Sequence, residues 1–339
     1  MNTQRPVLEL ENVNKVFGAN AEKTVARLWP DASSKTLLEH GLIAAVRDAS
    51  FVVSRGEVFV IMGLSGSGKS TLLRCMTTLL NPTSGSIRLD GIDLATAHDK
   101  DLVALRREKV SMVFQNFALL PHLSVLQNIA FPLKIRGLGR IQRETQARKM
   151  VELVGLNGRE AYFPHELSGG QQQRVGIARS LVTEPEVWFL DEPFSALDPL
   201  IRHEMQNELI ALQNLFQKTI VFITHDFDEA VRIADRIAVM RDGRILQIGT
   251  PEELVVNPAD AYVTEFIQNI PREKVLSVGS VMGPVNESAV PDNAIQKDKK
   301  LIDVAKRLLE SDDIVNVVDG NTVVGSIGRA NIISVLFRE

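Results

Sequence analysis

A glycine-rich stretch follows an apolar run in the first quarter of the chain. Residues 63–71 read GLSGSGKST, which matches the pattern G-x-x-x-x-G-K-[ST]. Because glycine has no Cβ, the backbone N–H groups of such a loop can close around phosphate oxygens. The run Val58–Met62 before it has the length of a buried strand, and helical spacing follows over 71–80. The stretch predicts a phosphate-binding loop with the contact residues Gly63, Ser65, Gly66, Ser67, Gly68, Lys69, Ser70 and Thr71.

Two residues of this loop have side chains suited to a nucleoside triphosphate. We expect Lys69 to reach the β- and γ-phosphates and Ser70 to offer its hydroxyl to Mg²⁺. The helix that follows would point its positive N-terminal end at the anion. The loop therefore predicts ATP and Mg²⁺ as cofactors.

A second apolar run ends in two carboxylates. Residues 187–192 read VWFLDE, and burying such acids is costly unless a cation lies near them. Asp191 is predicted to hold the Mg²⁺ shell, directly or through water, and Glu192 to act as general base on the attacking water. A pair of acids that caps a helix is the structural alternative.

Two further polar residues could complete the site. His225 in VFITHDFDEA follows another apolar strand and could hydrogen-bond the γ-phosphate, although a single histidine can equally be structural. Gln115 in SMVFQNFALLPH could reach Mg²⁺ or the attacking water. The predicted catalytic residues are thus Glu192, His225 and Gln115, and the predicted Mg²⁺ ligands are Ser70, Gln115 and Asp191.

Composition limits the class of protein. The 339 residues suggest one large and one small domain, or two of similar size. The formal net charge of −4 gives no support to a nucleic-acid partner. Cys75 is the one cysteine, so no intramolecular disulfide can form. No apolar run approaches the length of about 20 residues that a membrane helix needs, so we expect any link to a membrane to pass through a partner.

The order of patterns along the chain predicts an α/β fold. Strand-length apolar runs at 58–62, 187–190 and 219–223 alternate with helical patterns, which is typical of a parallel sheet. Residues 92–180 look mostly helical. The character changes near 270, where 269–274 resembles a linker. The tail then predicts a helix over 301–309, strands over 314–318 and 323–327, and a helix over 330–337.

Residues 167–173 read LSGGQQQ, which resembles the signature of ATP-binding-cassette (ABC) ATPases. The phosphate loop, Gln115, this signature, the pair 191–192, the sequence 195–198 (SALD) and His225 follow the family's order across about residues 7–268. The resemblance implies that two chains pair head to tail around two ATP molecules. Ser168 and Gly169 of one chain would then contact the γ-phosphate held by Lys69 of the other. It also adds Gly170, Gln171 and Asp198 to the nucleotide-binding residues.

The resemblance also implies a domain plan. Residues 1–270 would form a P-loop ABC-type nucleotide-binding domain with a parallel sheet core, an antiparallel β subdomain and a helical subdomain at about 92–180. Residues 275–339 resemble a single small α+β module of the cystathionine-β-synthase (CBS) type. Such a module could pair across the cassette dimer, or it could be a rigid dimerisation tail.

The segment 18–45, together with the sequences on either side of it, resembles the ATP-binding subunits of glycine betaine/proline/choline importers. This implies ATP hydrolysis that drives uptake of a quaternary amine such as choline, glycine betaine or proline betaine. The implied partners are membrane permease subunits and a separate substrate-binding protein, at the cytoplasmic face of the bacterial inner membrane. The alternatives are an importer of another small solute, such as an amino acid or polyamine, and a soluble ABC ATPase of repair or translation.

Three points are open at this stage. By counting, the family's adenine-stacking position falls near His40, but without the segment 18–45 it falls on Phe17, with Trp29 as a rival. Partner contact and ordinary core packing are both open for Phe117, Leu119, Leu120 and Pro121. Within the segment 18–45 we expect a cover for the small antiparallel sheet, formed by Leu28, Trp29, Leu37 and Leu38.

Overall fold

Three β-sheets form the framework of the part of the chain that the structure describes. A computed structural model describes residues 6–28, 34–268, 270–286 and 289–337. The described chain divides into two units between Ile248 and Gly249. The first unit holds a four-stranded and a six-stranded sheet, and the second holds a three-stranded sheet. None of the helices in the described ranges is both long and apolar enough to traverse a lipid bilayer.

The first unit begins with strands and helices in alternation. Its strands are β1 (Pro6–Phe17), β2 (Ile43–Ser54), β3 (Val58–Met62), β4 (Ser84–Leu89), β5 (Ile92–Asp93), β6 (Val110–Val113), β7 (Val187–Asp191), β8 (Thr219–Thr224), β9 (Arg236–Arg241) and β10 (Arg244–Gly249). Its helices are α1 (Ala21–Leu28), α2 (Ser34–Glu39), α3 (Lys69–Met76), α4 (Asp99–Glu108), α5 (Val125–Ile135), α6 (Arg140–Leu153), α7 (Gly169–Leu181), α8 (Pro199–Phe216) and α9 (Phe227–Ile233). A short 3₁₀ helix covers Pro164–Glu166.

The six-stranded sheet positions the predicted site. Its order is β10-β9-β3-β8-β7-β6, and the strands from β9 to β6 pair in parallel. Every residue of β3, β7 and β8 is buried, which explains why these strands are continuous apolar runs rather than alternating ones. Parallel strands end at the same edge, so the segments that follow β3, β6, β7 and β8 meet there.

Strand β6 is an exception within the segment 92–180, which was predicted to be mostly helical. Helices α4 to α7 lie in that segment, but Val110–Val113 forms the edge strand beside β7. Four residues with only Val110 and Val113 buried are too few to show a two-residue period. The loop that carries Gln115 therefore begins at a strand of the central sheet.

The antiparallel sheet has the order β2-β1-β4-β5, and the segment between β1 and β2 contains α1 and α2. Val16, Val25, Leu37 and Leu42 form a small buried cluster there. Leu37 thus has the expected covering role. Leu38 does not, because its side chain is 65% exposed: consecutive residues of a short helix cannot both face the sheet. Trp29 and the side chain of Leu28 lie outside the described residues.

The second unit is an α+β arrangement. Its elements are α10 (Pro251–Val256), α11 (Ala261–Ile267), α12 (Arg272–Val275), α13 (Val278–Val281), β11 (Val290–Gln296), α14 (Leu301–Glu310), β12 (Val315–Asp319), β13 (Thr322–Ile327) and α15 (Arg329–Phe337). Strand β12 pairs in parallel with β11 and antiparallel with β13. The apolar face of α14, formed by Leu301, Val304 and Leu308, is buried.

The division between the units comes earlier than the predicted boundary at residue 270. Helix α10 contacts α11 and α12, and α12 contacts α14, so these helices pack with the tail. The predicted linker 269–274 is likewise partly helical, because α12 begins at Arg272 and buries Val275. Ser277 donates from its backbone N–H and its hydroxyl to Glu252, which fixes the chain after α12 onto α10.

Candidate nucleotide site

The loop between β3 and α3 depends on glycine at two close approaches. Gly68 is the N-cap of α3 with φ 103°, and a Cβ placed on it would lie 2.0 Å from the carbonyl oxygen of Ala45. A Cβ on Gly63, at φ 154°, would lie 2.1 Å from the carbonyl oxygen of Met240. Strands β2 and β9 therefore pack closely against the backbone of this loop. Ser65 and Gly66 are exposed, whereas Ser67 is buried.

Lys69 is a buried cation at the first position of α3. Its side chain is 4% exposed, and Nζ donates to the carbonyl oxygens of Gly63 at 2.8 Å and Leu64 at 3.0 Å. Burial lowers the pKa of Lys69, and the nearby Glu192 and Asp191 carboxylates oppose that shift. An ammonium group at a helix N-terminus, inside a loop of backbone amides, suits an anion such as a phosphate.

Ser70 and Asp191 form a pair of oxygen ligands beside this cation. The Ser70 hydroxyl donates to Asp191 Oδ1 at 2.9 Å. Burial raises the pKa of Asp191, while the hydrogen bond from Ser70 lowers it. Hydroxyl and carboxylate oxygens are the ligands that Mg²⁺ prefers. The buried Ser67 hydroxyl has no hydrogen-bond partner among the described residues. It is therefore available to donate to a phosphate oxygen bound in this loop.

Glu192 lies between the cation and the histidine. It follows β7 in a left-handed conformation, φ 44°, with its N–H donating to the Ile223 carbonyl at 3.0 Å. Its Oε1 is 3.9 Å from Lys69 Nζ, and its Oε2 is 3.2 Å from His225 Nδ1. The His225 side chain is 54% exposed. The carboxylate is thus oriented from both sides, at the sheet edge where a water could be activated.

Gln115 contacts this group indirectly. Its side-chain nitrogen donates to Ser195 Oγ at 3.2 Å, and the Ser195 hydroxyl donates to the Glu192 carbonyl at 2.9 Å. Ser195 lies in the matched sequence 195–198 and had no predicted role. A contact to Mg²⁺ or water would require Gln115 to exchange its bond with Ser195.

The signature residues begin a helix. Ser168 is the N-cap of α7: its Oγ accepts from the Gln171 N–H at 3.3 Å, and the Gln171 side chain accepts from the Ser168 N–H at 3.0 Å. Asp198 caps α8 by accepting from the Ile201 N–H at 3.1 Å. A Cβ on Gly170 would lie 2.8 Å from Ile201 Cγ2, so the two helix starts touch. Ser168 and Gly169 are exposed and available to a ligand.

Comparisons with known proteins identify the family. A family model described as ABC transporter matches residues 46–195. The trimethylamine N-oxide transport system ATP-binding protein TmoW of Pelagibacter ubique is 53% identical over 98% of this chain and 98% of its own length. The chain belongs to the ABC transporter family of ATP-binding proteins. The glycine betaine transport ATP-binding protein OpuAA of Bacillus subtilis is 45% identical over 92% of this chain and 82% of its own length.

A solved structure agrees with the fold of the cassette. It shows an ATP-binding cassette as a dimer in a post-hydrolysis state with ADP and Pi, with a TM-score of 0.61 and 32% identity over 72% of this chain and 98% of that chain. The α/β cassette fold, ATP binding, ATP hydrolysis coupled to transport, and the likeness to betaine and choline importer subunits are therefore confirmed. The roles given to individual residues stay predictions.

Phe17 occupies the end of strand β1 in the cassette. It pairs across the strands with Ile43, is 39% exposed, and has Lys15 Nζ 5.2 Å from its ring centre. Two residues beyond Ile43, Ala45 touches the phosphate loop at Gly68. Phe17 thus offers an accessible aromatic face near that loop. His40 is exposed just before β2.

Two residues that sequence reasoning missed hold the loop after Gln115. The buried Asn128 accepts from the Leu120 N–H at 2.9 Å and donates to the carbonyls of Leu120, Leu123 and Ser124. Arg179 on α7 donates to the carbonyls of Phe117 and Ala118, both at 2.8 Å. No periodicity could have revealed bonds to backbone carbonyls.

The loop leaves apolar surface uncovered. Phe117, Leu119 and Leu120 are partly exposed and Pro121 is exposed, so none of them is fully buried core. Partner contact stays a prediction for these four residues.

Proposed function

We propose that this chain is the ATP-hydrolysing subunit of an importer for a small methylated amine, with trimethylamine N-oxide as the favoured cargo. The choice of trimethylamine N-oxide as cargo rests on how much of each relative this chain aligns with. TmoW aligns over 98% of both chains, whereas this chain covers only 82% of OpuAA. The predicted cargoes were choline, glycine betaine and proline betaine. Trimethylamine N-oxide was not among them, but it shares a trimethylated nitrogen with choline and glycine betaine.

Cargo recognition belongs to other chains in this proposal. A methylated cation or dipole is bound in a cage of aromatic rings, and we assign that cage to a separate substrate-binding protein. Membrane permease subunits would form the passage, at the cytoplasmic face of the bacterial inner membrane. Phe117, Leu119, Leu120 and Pro121 would contact a permease. The chain itself supplies the energy of ATP hydrolysis.

The residues of one cassette would provide half of each reaction site. Lys69 and the loop amides would hold the phosphates, and Ser70 and Asp191, with Gln115 beside them, would hold Mg²⁺. A bound Mg²⁺ would supply positive charge to the phosphoryl oxygens. Glu192 would accept a proton from the attacking water. His225 would keep the Glu192 carboxylate in place and face the γ-phosphate with its other ring nitrogen.

The second half comes from another copy. Ser168, Gly169, Gly170 and Gln171 start a thirteen-residue helix whose exposed N-terminus favours an anion. A dimeric cassette among the solved structures supports pairing of two copies. We take the pair to be head to tail, so that this helix faces the nucleotide held by Lys69 of the other copy. Asp198 caps α8 beside it and would lie at the dimer seam. The tail, residues 275–339, is proposed as a single CBS-like module that could pair in the same dimer.

Uptake of labelled solutes tests the cargo. Bacteria that carry the chain with its permease and binding protein, but lack other amine importers, should accumulate trimethylamine N-oxide faster than glycine betaine or choline. With the Glu192→Gln chain, uptake of all three solutes should be lost. Uptake of glycine betaine without trimethylamine N-oxide would contradict the favoured cargo. Uptake of only an amino acid or polyamine would contradict the class.

A further inference from the structure

The loop that carries Gln115 contains two consecutive residues in an unfavourable backbone conformation. Phe117 has φ 57° and Ala118 has φ 48°, in the left-handed region that residues with a Cβ seldom adopt. Neither residue is glycine, so the surrounding structure has to hold the conformation. The Phe117 N–H donates to the Phe114 carbonyl at 2.9 Å, which closes a tight turn around Gln115.

Arg179 binds both strained residues at once. Its Nη1 donates to the Ala118 carbonyl and its Nη2 to the Phe117 carbonyl, each at 2.8 Å. Two parallel donors in a fixed plane define the direction of both carbonyl groups, which a lysine ammonium could not do. The loop also lies close to α7 one turn earlier, because a Cβ on Gly176 would be 3.8 Å from the Phe117 carbonyl oxygen.

The charge of Arg179 has no carboxylate partner in the described part of the chain. No ion pair there includes it, and burial lowers its pKa. Arg174, five residues earlier on the same helix, instead pairs with Glu204 and Glu208 of α8. A partly buried guanidinium without a counter-ion is costly, and two backbone carbonyls are the acceptors that offset this cost.

The strained turn begins at Phe117, two residues after Gln115 along the chain, and Gln115 is linked to Glu192. Gln115 donates to Ser195 Oγ, and Ser195 donates to the carbonyl of Glu192. The helix that carries Arg179 begins at Ser168. One rigid element therefore joins the signature to the loop of Gln115.

We infer that Arg179 is a positioning residue: its two hydrogen bonds hold the left-handed turn at Phe117 and Ala118 and thereby fix where Gln115 meets Ser195. Through α7, the same bonds tie the position of Ser168 to the Gln115 loop of its own chain. The catalytic part of this inference rests on the proposed role of Gln115, whereas the structural part does not.

Hydrogen–deuterium exchange and ATPase kinetics on the full chain test this inference. In Arg179→Ala, exchange of the peptide 114–121 should rise about tenfold, because the turn opens locally. The kcat for ATP should fall about tenfold while KM stays within about twofold, since the phosphate loop is untouched. Arg179→Lys should show a smaller change of the same kind, because one ammonium cannot direct both carbonyls.

Arg174→Ala is the matched control on the same helix. It removes a partly buried guanidinium and its ion pairs, and should leave exchange of 114–121 at the wild-type rate. Unchanged exchange of 114–121 in Arg179→Ala would overturn the inference, as would an equal rise in Arg174→Ala. If Arg179→Ala does not fold, wild-type exchange in Arg179→Lys overturns it.

A Gln115→Ala variant separates the two parts. Wild-type kcat in Gln115→Ala would refute the proposed role of Gln115, and with it the catalytic part of the inference. The exchange measurement would still decide whether Arg179 holds the turn.

Discussion

The imidazole Nδ1 of His225 lies 3.2 Å from Oε2 of Glu192. This contact orients the proposed general base and leaves the other ring nitrogen of His225 free to face a phosphate. Since the His225 side chain is 54% exposed, the contact should add little to folding stability, and we expect its role to be in catalysis.

Replacing His225 tests that interpretation. We expect His225→Ala to lower kcat for ATP by about 100-fold, in the range of a lost general acid–base partner, and to change the free energy of unfolding by less than about 0.5 kcal/mol. ATPase assays and chemical denaturation measure the two effects. His203→Ala, at an exposed position on α8, should change neither. A His225→Ala protein with normal turnover would remove His225 from the site.

Alanine substitutions at two glycines of the phosphate loop distinguish a steric clash from backbone strain. At Gly66, φ is 80° and an added Cβ would lie in open space. Gly66→Ala should therefore raise the free energy of the folded loop only by the strain of a left-handed alanine, about 1–2 kcal/mol. Gly68→Ala adds a Cβ 2.0 Å from the Ala45 carbonyl oxygen, so it should displace the start of α3 and abolish ATP binding. Titration with a fluorescent ATP analogue compares them. Equal losses in both variants would refute the steric argument.

The adenine contact is tested at Phe17. An aromatic stacking partner contributes about 0.5–1.5 kcal/mol, so Phe17→Ala should raise Kd for ATP by about 2- to 13-fold. Phe17→Tyr keeps the ring face and should bind ATP normally. The same titration on Trp29→Ala and His40→Ala covers the two rival positions. A loss at Trp29 with none at Phe17 would reassign the contact.

The buried carboxyl of Asp191 predicts a dependence of stability on pH. Burial raises its pKa in the folded state above the unfolded value of 3.8. As pH rises between these two pKa values, the unfolded state loses its proton first, so this group lowers stability by an amount that is fully present above the folded-state pKa.

Asp191→Asn removes that cost. Without nucleotide, the variant should melt at a higher temperature than the wild type at neutral pH, and the difference should shrink as pH falls through the folded-state pKa. It should also lose Mg²⁺-dependent ATP binding. Asp242→Asn, at an exposed position, serves as the control. An Asp191→Asn chain that is less stable than the wild type at neutral pH would contradict the argument.

The central strands and the phosphate loop are predictable because their causes are local. Strand β3 has the predicted bounds Val58–Met62, since burial on both faces demands an unbroken apolar run. The order of motifs then predicted the cassette family. Strand β6 was missed because it has four residues, and the division between the units precedes the predicted boundary near 270 because α10 to α12 pack with the tail.

The supports of the site could not be predicted in the same way. Arg179 and Asn128 act on backbone carbonyls, and Ser195 joins Gln115 to Glu192 across eighty residues of sequence. Such contacts depend on the path of the loops in space. The sequence patterns report burial and turn chemistry, and neither records which carbonyl a distant side chain reaches.

We propose that ATP hydrolysis by this chain, with Glu192 as base, drives amine uptake. The direct measurement follows ATP consumed and labelled trimethylamine N-oxide accumulated in the same proteoliposomes, which contain the chain, its permease and its binding protein. Wild-type chain should show both processes, and Glu192→Gln should show neither while still binding ATP with unchanged Kd. Uptake driven by the Glu192→Gln chain, or wild-type hydrolysis without any uptake of a methylated amine, would contradict the account.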